Sequence, residues 1–160
     1  MAIEIERKFL VTDDGWRSAA DQGRVMRQGY LANTPSVSVR VREAGDAAWI
    51  TVKGATSGAS RAEFEYAIPT PDAEAMLTTL CADSLIDKTR YRVAWHGHTW
   101  EVDVFGADNA GLVVAELELE SEQQDFELPP WVGPEVTHDP RYFNASLVRS
   151  PWRSWPDNEP

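Results

Sequence analysis

A single cysteine, Cys81, among 160 residues rules out an intramolecular disulfide, and no CxxC or Cys/His cluster is present to hold structural zinc. Cys81 therefore reads as a small buried hydrophobe. Lysine is nearly as scarce, with only Lys8, Lys53 and Lys88. Apolar runs extend for a few residues, against the roughly 20 that a membrane span needs. Met1-Ala2-Ile3-Glu4 carries neither the basic nor the apolar region of a signal peptide. A cytoplasmic chain with no membrane partner is the expectation. Positive charge is in deficit, with 15 Lys plus Arg against 26 Asp plus Glu and a net charge of -11. Such a field repels polyanions, so no nucleic-acid partner is expected, although a whole-chain count does not say which way the charges face.

What is present is an ordinary globular composition, 42% hydrophobic, 26% charged and 10% aromatic, which excludes a disordered or collagenous chain. A chain this long buries about 70% of its unfolded surface, enough for one core without staples. Residues 1–150 read as one domain and 151–160, beginning Pro151-Trp152, as a tail.

Alternation of apolar and polar residues marks eight strands, at 2–11, 25–32, 36–43, 47–53, 61–68, 87–95, 99–105 and 112–120. The chain is therefore expected to be mainly β. Thr70-Pro71-Asp72 ahead of AEAMLTTL is a helix start, and Asp139-Pro140 ahead of RYFNASLVRS repeats that signal. A short helix is expected within 12–22. Residues 121–137 (SEQQDFELPPWVGPEVT) are too rich in proline for a regular element.

Charged side chains occupy one face of these strands. Glu4, Glu6 and Lys8 are spaced two apart, with Ile3, Ile5 and Phe9 opposite. The spacing recurs at Arg40 and Arg42, at Arg61, Glu63 and Glu65, at Lys88, Arg90 and Arg92, at Glu101 and Asp103, and at Glu116, Glu118 and Glu120. A solvated outer sheet face produces alternation too, but with interchangeable polar residues, and Ser, Thr and Gln are scarce at these positions. If the strands close into a barrel with the charges inward, both signs must be paired with each other or with ligands. Clustered carboxylates suit a hard divalent cation, Mg²⁺ or Mn²⁺, and clustered Arg and Lys suit phosphate. Trp49, Trp95 and Trp100 are expected outside the barrel. Trp131 and Trp152 are candidates for a subunit contact, which leaves a homodimer open.

Glu4-Ile5-Glu6-Arg7-Lys8 resembles the ExExK signature of the CYTH superfamily, the triphosphate tunnel metalloenzymes. The rest follows in order: Arg27 before Gln28-Gly29-Tyr30-Leu31, Arg40 and Arg42, Lys53, Arg61-x-Glu63-x-Glu65, Lys88-x-Arg90-Tyr91, Glu101-x-Asp103, Glu116 and Glu118, and PPWVGPEVTHDPRYFNASL. The resemblance implies an eight-stranded antiparallel β-barrel forming a tunnel, with peripheral helices and a C-terminal helix, Asp139 to Leu147, plugging one mouth. It implies Glu4, Glu6 and Glu118 as metal ligands, with Asp103 and Glu116 as further acidic candidates. Lys8, Arg27, Arg40, Arg42, Lys53, Lys88, Arg90 and Asn144 are the implied substrate-binding set. Lys8, Lys88, Glu63 and Glu65 are the candidates for direct roles in the reaction.

The expected activity is metal-dependent hydrolysis of a triphosphate. The short chain, with ExExK starting at residue 4, most resembles compact bacterial inorganic triphosphatases, which favours tripolyphosphate cleaved to pyrophosphate and phosphate. Class IV adenylate cyclases often carry a His-Phe pair ahead of the glutamates, where this chain has Met1-Ala2-Ile3. A cyclase, a thiamine or nucleoside triphosphatase and a noncatalytic polyphosphate-binding module remain the alternatives.

Overall fold

The computed structural model describes residues 2–156. Among these, nine strands form one antiparallel sheet: β1 (Ala2–Val11), β2 (Arg24–Asn33), β3 (Val37–Ala44), β4 (Ala47–Gly54), β5 (Ser60–Ile68), β6 (Leu85–Trp95), β7 (His98–Phe105), β8 (Val113–Glu118) and β9 (Val132–Glu135). The order β5-β4-β3-β2-β6-β7-β8-β1 closes through β1–β5 pairing into an eight-stranded barrel, as the resemblance implies. Each predicted strand forms to within two residues at either end.

The ninth strand lies in the proline-rich segment expected to lack regular structure. Residues 2–5 of β1 pair with β5, and residues 6–10 pair with β8 on the opposite edge. The edge of β1 that β5 leaves free is taken by β9, with Phe9 opposite Glu135 and Val11 opposite Val132. A free barrel edge would otherwise expose unpaired backbone groups. Gly133 permits the close approach, since a Cβ there would sit 2.4 Å from Thr12 Cγ2 and 3.3 Å from the Leu10 carbonyl oxygen. Pro134 is tolerated because β9 is an edge strand.

Apolar residues sort into clusters by strand parity. Phe9, Val93, Trp100, Val102, Ala115 and Leu117 face outward under Trp16 and Trp131, and burial of each larger side chain contributes about 1.5–3 kcal/mol. Val41 and Ala48 face outward under helix α1 (Thr70–Thr79), which also contributes Ala73 and Leu77. Gly29 lets α1's end seat on β2, because a Cβ there would come within 2.5 Å of Cys81 Cβ. Ile86, Phe105 and Val114 differ: they share parity with Lys88, Asp103 and Glu116 and so face inward, where Tyr142 and Leu147 join them. One end of the barrel is thus filled by apolar packing.

That filling corrects the expected C-terminal helix. The Asp139 side chain accepts from the Arg141 N–H and starts a single 3-10 turn, Pro140–Tyr142; Phe143 is extended, and α2 spans only Asn144–Leu147. The helix expected in 12–22 is a 3-10 turn, Gly15–Ala19, anchored by Trp16. The tail is docked as far as it is described: Trp155 packs edge-on against Tyr142 and the Trp152 N–H donates to Asn109 Oδ1 at 2.8 Å. The remaining tail residues, 157–160, lie outside the described residues. Trp95 and Trp100 face outward as predicted, but Trp49 does not. It pairs with inward-facing Arg42 and packs beneath the Arg24 guanidinium, 5.5 Å from the ring centre. No helix among the described residues is long and apolar enough to cross a membrane.

Candidate active site

Because neighbouring strands pair in register, the charged residues of each strand converge on one interior cavity of about 210 Å³. Seven basic and seven acidic side chains line it, with Tyr30, Ser38, Phe143, Asn144 and Ala145. All three lysines of the chain are among them. A chain of net charge -11 therefore holds an interior whose two signs balance.

The two signs interleave across neighbouring strands. Glu6 pairs with Glu118 and Lys8 with Glu116 across β1–β8, and Lys53 pairs with Glu63 across β4–β5. Lys53 Nζ lies 2.9 Å from both Glu4 oxygens and 3.4 Å from Glu63, while Arg61 Nε lies 3.3 Å from Glu4. Lys8 Nζ is 3.7 Å from Glu116 and donates to the Tyr142 carbonyl at 3.2 Å, which ties the cavity to the C-terminal segment. Arg90 grips Asp103 with two bonds of 2.7 and 2.9 Å, and Lys88 reaches the same carboxylate at 2.8 Å. Arg40 donates to Thr51, whose hydroxyl donates to Glu65 at 2.9 Å.

Protonation equilibria expose what this arrangement lacks. Burial, then the charges of Glu116 and Glu4, push the Glu6 carboxyl up to about 8. Burial, then the nearby Glu4 and Glu101, raise Glu118. Burial, then a hydrogen bond with Glu4 and its charge, push Glu63 up to about 7. Glu4 goes the other way: burial opposes ionisation, but Lys53, a hydrogen bond with Glu63, and Arg61 together hold it down to about 2. Among the bases, burial followed by Arg40 and Arg90 pushes Arg42 down to about 9. Burial also brings Lys88 down to about 7, with Asp103 only partly offsetting it. Carboxylates that resist ionising call for a cation, and bases that resist protonation call for an anion.

The structure gathers Glu4, Glu6, Lys8, Arg40, Arg42, Lys53, Glu63, Glu65, Lys88, Arg90, Glu116, Glu118 and Asn144 at the cavity wall. Two predicted site residues are not there. Arg27 has the opposite parity to cavity-lining Tyr30 and shares the outward face of Gly29, so its side chain leaves the barrel interior. Asp103 is 1% exposed and lies behind the wall, where Arg90 and Lys88 occupy both its oxygens. Its carboxyl is held well below the usual range because Arg90 and Lys88 outweigh the burial that opposes ionisation. Asp103 anchors cations rather than facing a ligand. Two charged residues of the cavity, Arg61 and Glu101, were legible as members of the charged face but were not chosen as site residues. Gln28, fully buried beside Arg42, was signalled only by its parity with Tyr30.

Among the described residues no three His, Cys, Asp or Glu side chains stand close enough to hold a metal ion unaided. That suits a hard cation bound by one or two carboxylates and completed by ligand oxygens. The donor chemistry fits as well, since Glu6 and Glu118 are all-oxygen donors short of positive charge.

A CYTH domain model matches residues 2–150. The chain is similar to an inorganic triphosphatase of Acetivibrio thermocellus, 46% identical over 155 residues that cover 97% of this chain and 99% of that one. It is also similar to an inorganic triphosphatase of Nitrosomonas europaea, 40% identical over 92% of this chain and 97% of that one. The crystal structure of an inorganic triphosphatase superposes with a TM-score of 0.67 at 37% identity, covering 94% and 97% of the two chains. With these relatives, a closed barrel and its charged interior agreeing along nearly the whole sequence, the chain belongs to the CYTH domain family.

Proposed function

We propose that the protein hydrolyses inorganic tripolyphosphate to pyrophosphate and orthophosphate, using Mg²⁺ or Mn²⁺. The observation that carries this reading is a cavity lined by seven carboxylates and seven cations, closed at one end by the chain's own apolar residues. The names of the two relatives support the choice of substrate.

Glu6 and Glu118 would hold the metal, with Glu4 joining them on release from Lys53 and Arg61, Glu116 adjacent, and Asp103 excluded by its burial behind Arg90 and Lys88. When bound, a divalent cation would polarise phosphoryl oxygens and neutralise charge that builds up in the transition state. The remaining work falls to this chain's side chains. Arg40, Arg42, Lys53 and Arg90 bind and orient the phosphate chain, and Lys8 and Lys88 offset charge on its oxygens. Glu63 and Glu65 on β5 are the carboxylates placed to orient the attacking water. Phosphoryl transfer needs little covalent help from protein, so positioning and charge stabilisation suffice.

An inorganic substrate fits better than a nucleotide. Tyr30 and Phe143 are the aromatic residues among those lining the cavity, whose other lining side chains are mostly charged, where a base calls for aromatic faces or neutral polar edges. Phosphate release from tripolyphosphate, ATP and thiamine triphosphate, each with Mg²⁺ and Mn²⁺, tests the reading. Tripolyphosphate should exceed ATP by at least roughly tenfold in kcat/KM. Equal rates, or cyclic AMP from ATP, would contradict the substrate choice.

A further inference from the structure

Gln28 is an uncharged side chain with no exposure at all, placed among cations at the inner wall of the barrel. Directly across β2–β3 lies Arg42, whose Nε–H donates to Gln28 Oε1 at 2.8 Å. Gln28 Nε2 in turn donates to Asn144 Oδ1 at 3.1 Å, and the same oxygen accepts from Lys88 Nζ at 2.9 Å.

The direction of every bond in this chain is fixed by chemistry. A guanidinium can only donate, so the Gln28 atom facing Arg42 must be the oxygen. The Gln28 nitrogen must then face Asn144, and it needs an oxygen there. Lys88 in its charged form also only donates, and so supports the same orientation of the Asn144 amide from the other side. Reversing either amide would set donor against donor in a buried site. Asn144 is thereby held with its oxygen toward Gln28 and Lys88. Its Nδ2 is left at the cavity wall, where no side chain or backbone acceptor among the described residues meets it.

We propose that Gln28 is a positioning residue: it holds the Arg42 guanidinium and sets the polarity of the Asn144 amide, so that the Asn144 NH₂ group donates to an oxygen of the bound phosphate chain. This rests on the reading of the cavity as a tripolyphosphate site. A short C-terminal segment is thereby coupled to the cation set through a glutamine that touches no substrate. Gln28 and Asn144 lie 116 residues apart in sequence, which hides the pair from any local motif.

The experiment is a double-variant cycle in the full chain, with Gln28→Met, which keeps the volume, and Asn144→Ala. Binding of tripolyphosphate in metal-free buffer is measured by calorimetry, and kcat and KM are measured with Mg²⁺. Each single variant should weaken binding about tenfold, with the loss falling on KM more than on kcat. The double variant should be little weaker than the worse single one, because both break one linkage. Should Gln28→Met fail to fold, Gln28→Glu serves, since it still accepts from Arg42 but cannot donate to Asn144. In that background Asn144→Ala should cost less than threefold. Unchanged binding in the Gln28 variants, or a double variant near one hundredfold, would overturn the role of Gln28 while wild-type hydrolysis still stood. A wild-type protein that neither binds nor cleaves tripolyphosphate would overturn the reading of the cavity and this role with it.

Discussion

Glu6 and Glu118 face each other across the β1–β8 ladder inside the barrel, two carboxylates opposite one another with both protonation equilibria shifted up. In the metal-free protein this pair is a source of repulsion. Because Glu6 is pushed from 4.5 to about 8, the folded state binds more protons than the unfolded state between those values. Stability from Glu6 is therefore fully present below about 4.5 and lost as pH rises through about 8. Melting temperature without metal should fall across that window. Glu6→Gln should flatten the fall, and so should added Mg²⁺, while activity drops at least about a hundredfold because an amide is a poor ligand for a hard cation. A Glu6→Gln variant that kept the wild-type slope would contradict this.

Glu4 should behave in the opposite way. It is held down to about 2 chiefly by Lys53, with Arg61 assisting against burial, and it contributes stability that is lost only as pH falls toward that value. Glu4→Gln strips a buried lysine of the nearer of its two carboxylates and should cost roughly 3 kcal/mol at neutral pH as well as activity. Urea unfolding of both glutamine variants would show the contrast.

Arg42 is a base held near others of its kind, pushed down to about 9 by burial, Arg40 and Arg90. Replacing it with methionine relieves that repulsion but leaves Gln28 Oε1 without its donor. Stability should stay within about 1 kcal/mol of wild type, while tripolyphosphate binding weakens at least about tenfold. A large drop in stability with normal binding would mean that Arg42 is structural.

Lys88, pushed down to about 7, should lose its positive charge as pH rises through that value in the ligand-free protein. Metal-free affinity for tripolyphosphate should decline between about pH 6 and 8. Lys88→Arg should remove the decline, because arginine keeps its charge. Identical pH profiles for the two proteins would count against Lys88 as an anion contact.

Gly133→Ala tests the ninth strand apart from the site. A methyl group 2.4 Å from Thr12 Cγ2 forces β9 off β1, and about 1–3 kcal/mol of stability should be lost. KM for tripolyphosphate should be unchanged.

Much of this was legible in the sequence because strand period and residue chemistry coincide. Glu4, Glu6 and Lys8 sit two apart, so placing one inside places all three. Parity alone does not say how deep a side chain sits or what already holds it. Asp103 and Glu101 share a face, yet Asp103 is buried under Arg90 and Lys88 while Glu101 reaches the cavity. Arg27 rests on the resemblance alone, although the inward position on β2 belongs to Gln28, and a neutral residue gives no charge signal. Strand β9 was missed because Gly133 and Pro134 are read as breakers, and only the close packing on Thr12 shows why glycine is needed there. The C-terminal segment breaks at Phe143 because Tyr142 and Leu147 must both reach the apolar end of the barrel, a tertiary demand that overrides the local helix signal.

The central claim is that one cavity uses both of its charge sets together, carboxylates for a metal and cations for a triphosphate. Phosphorus NMR of tripolyphosphate incubated with the protein tests it most directly, with Mg²⁺ in one sample and a chelator in the other. Equal amounts of pyrophosphate and orthophosphate should accumulate with Mg²⁺ and neither with chelator. Intact tripolyphosphate under both conditions, or cleavage that ignores the chelator, would contradict the claim.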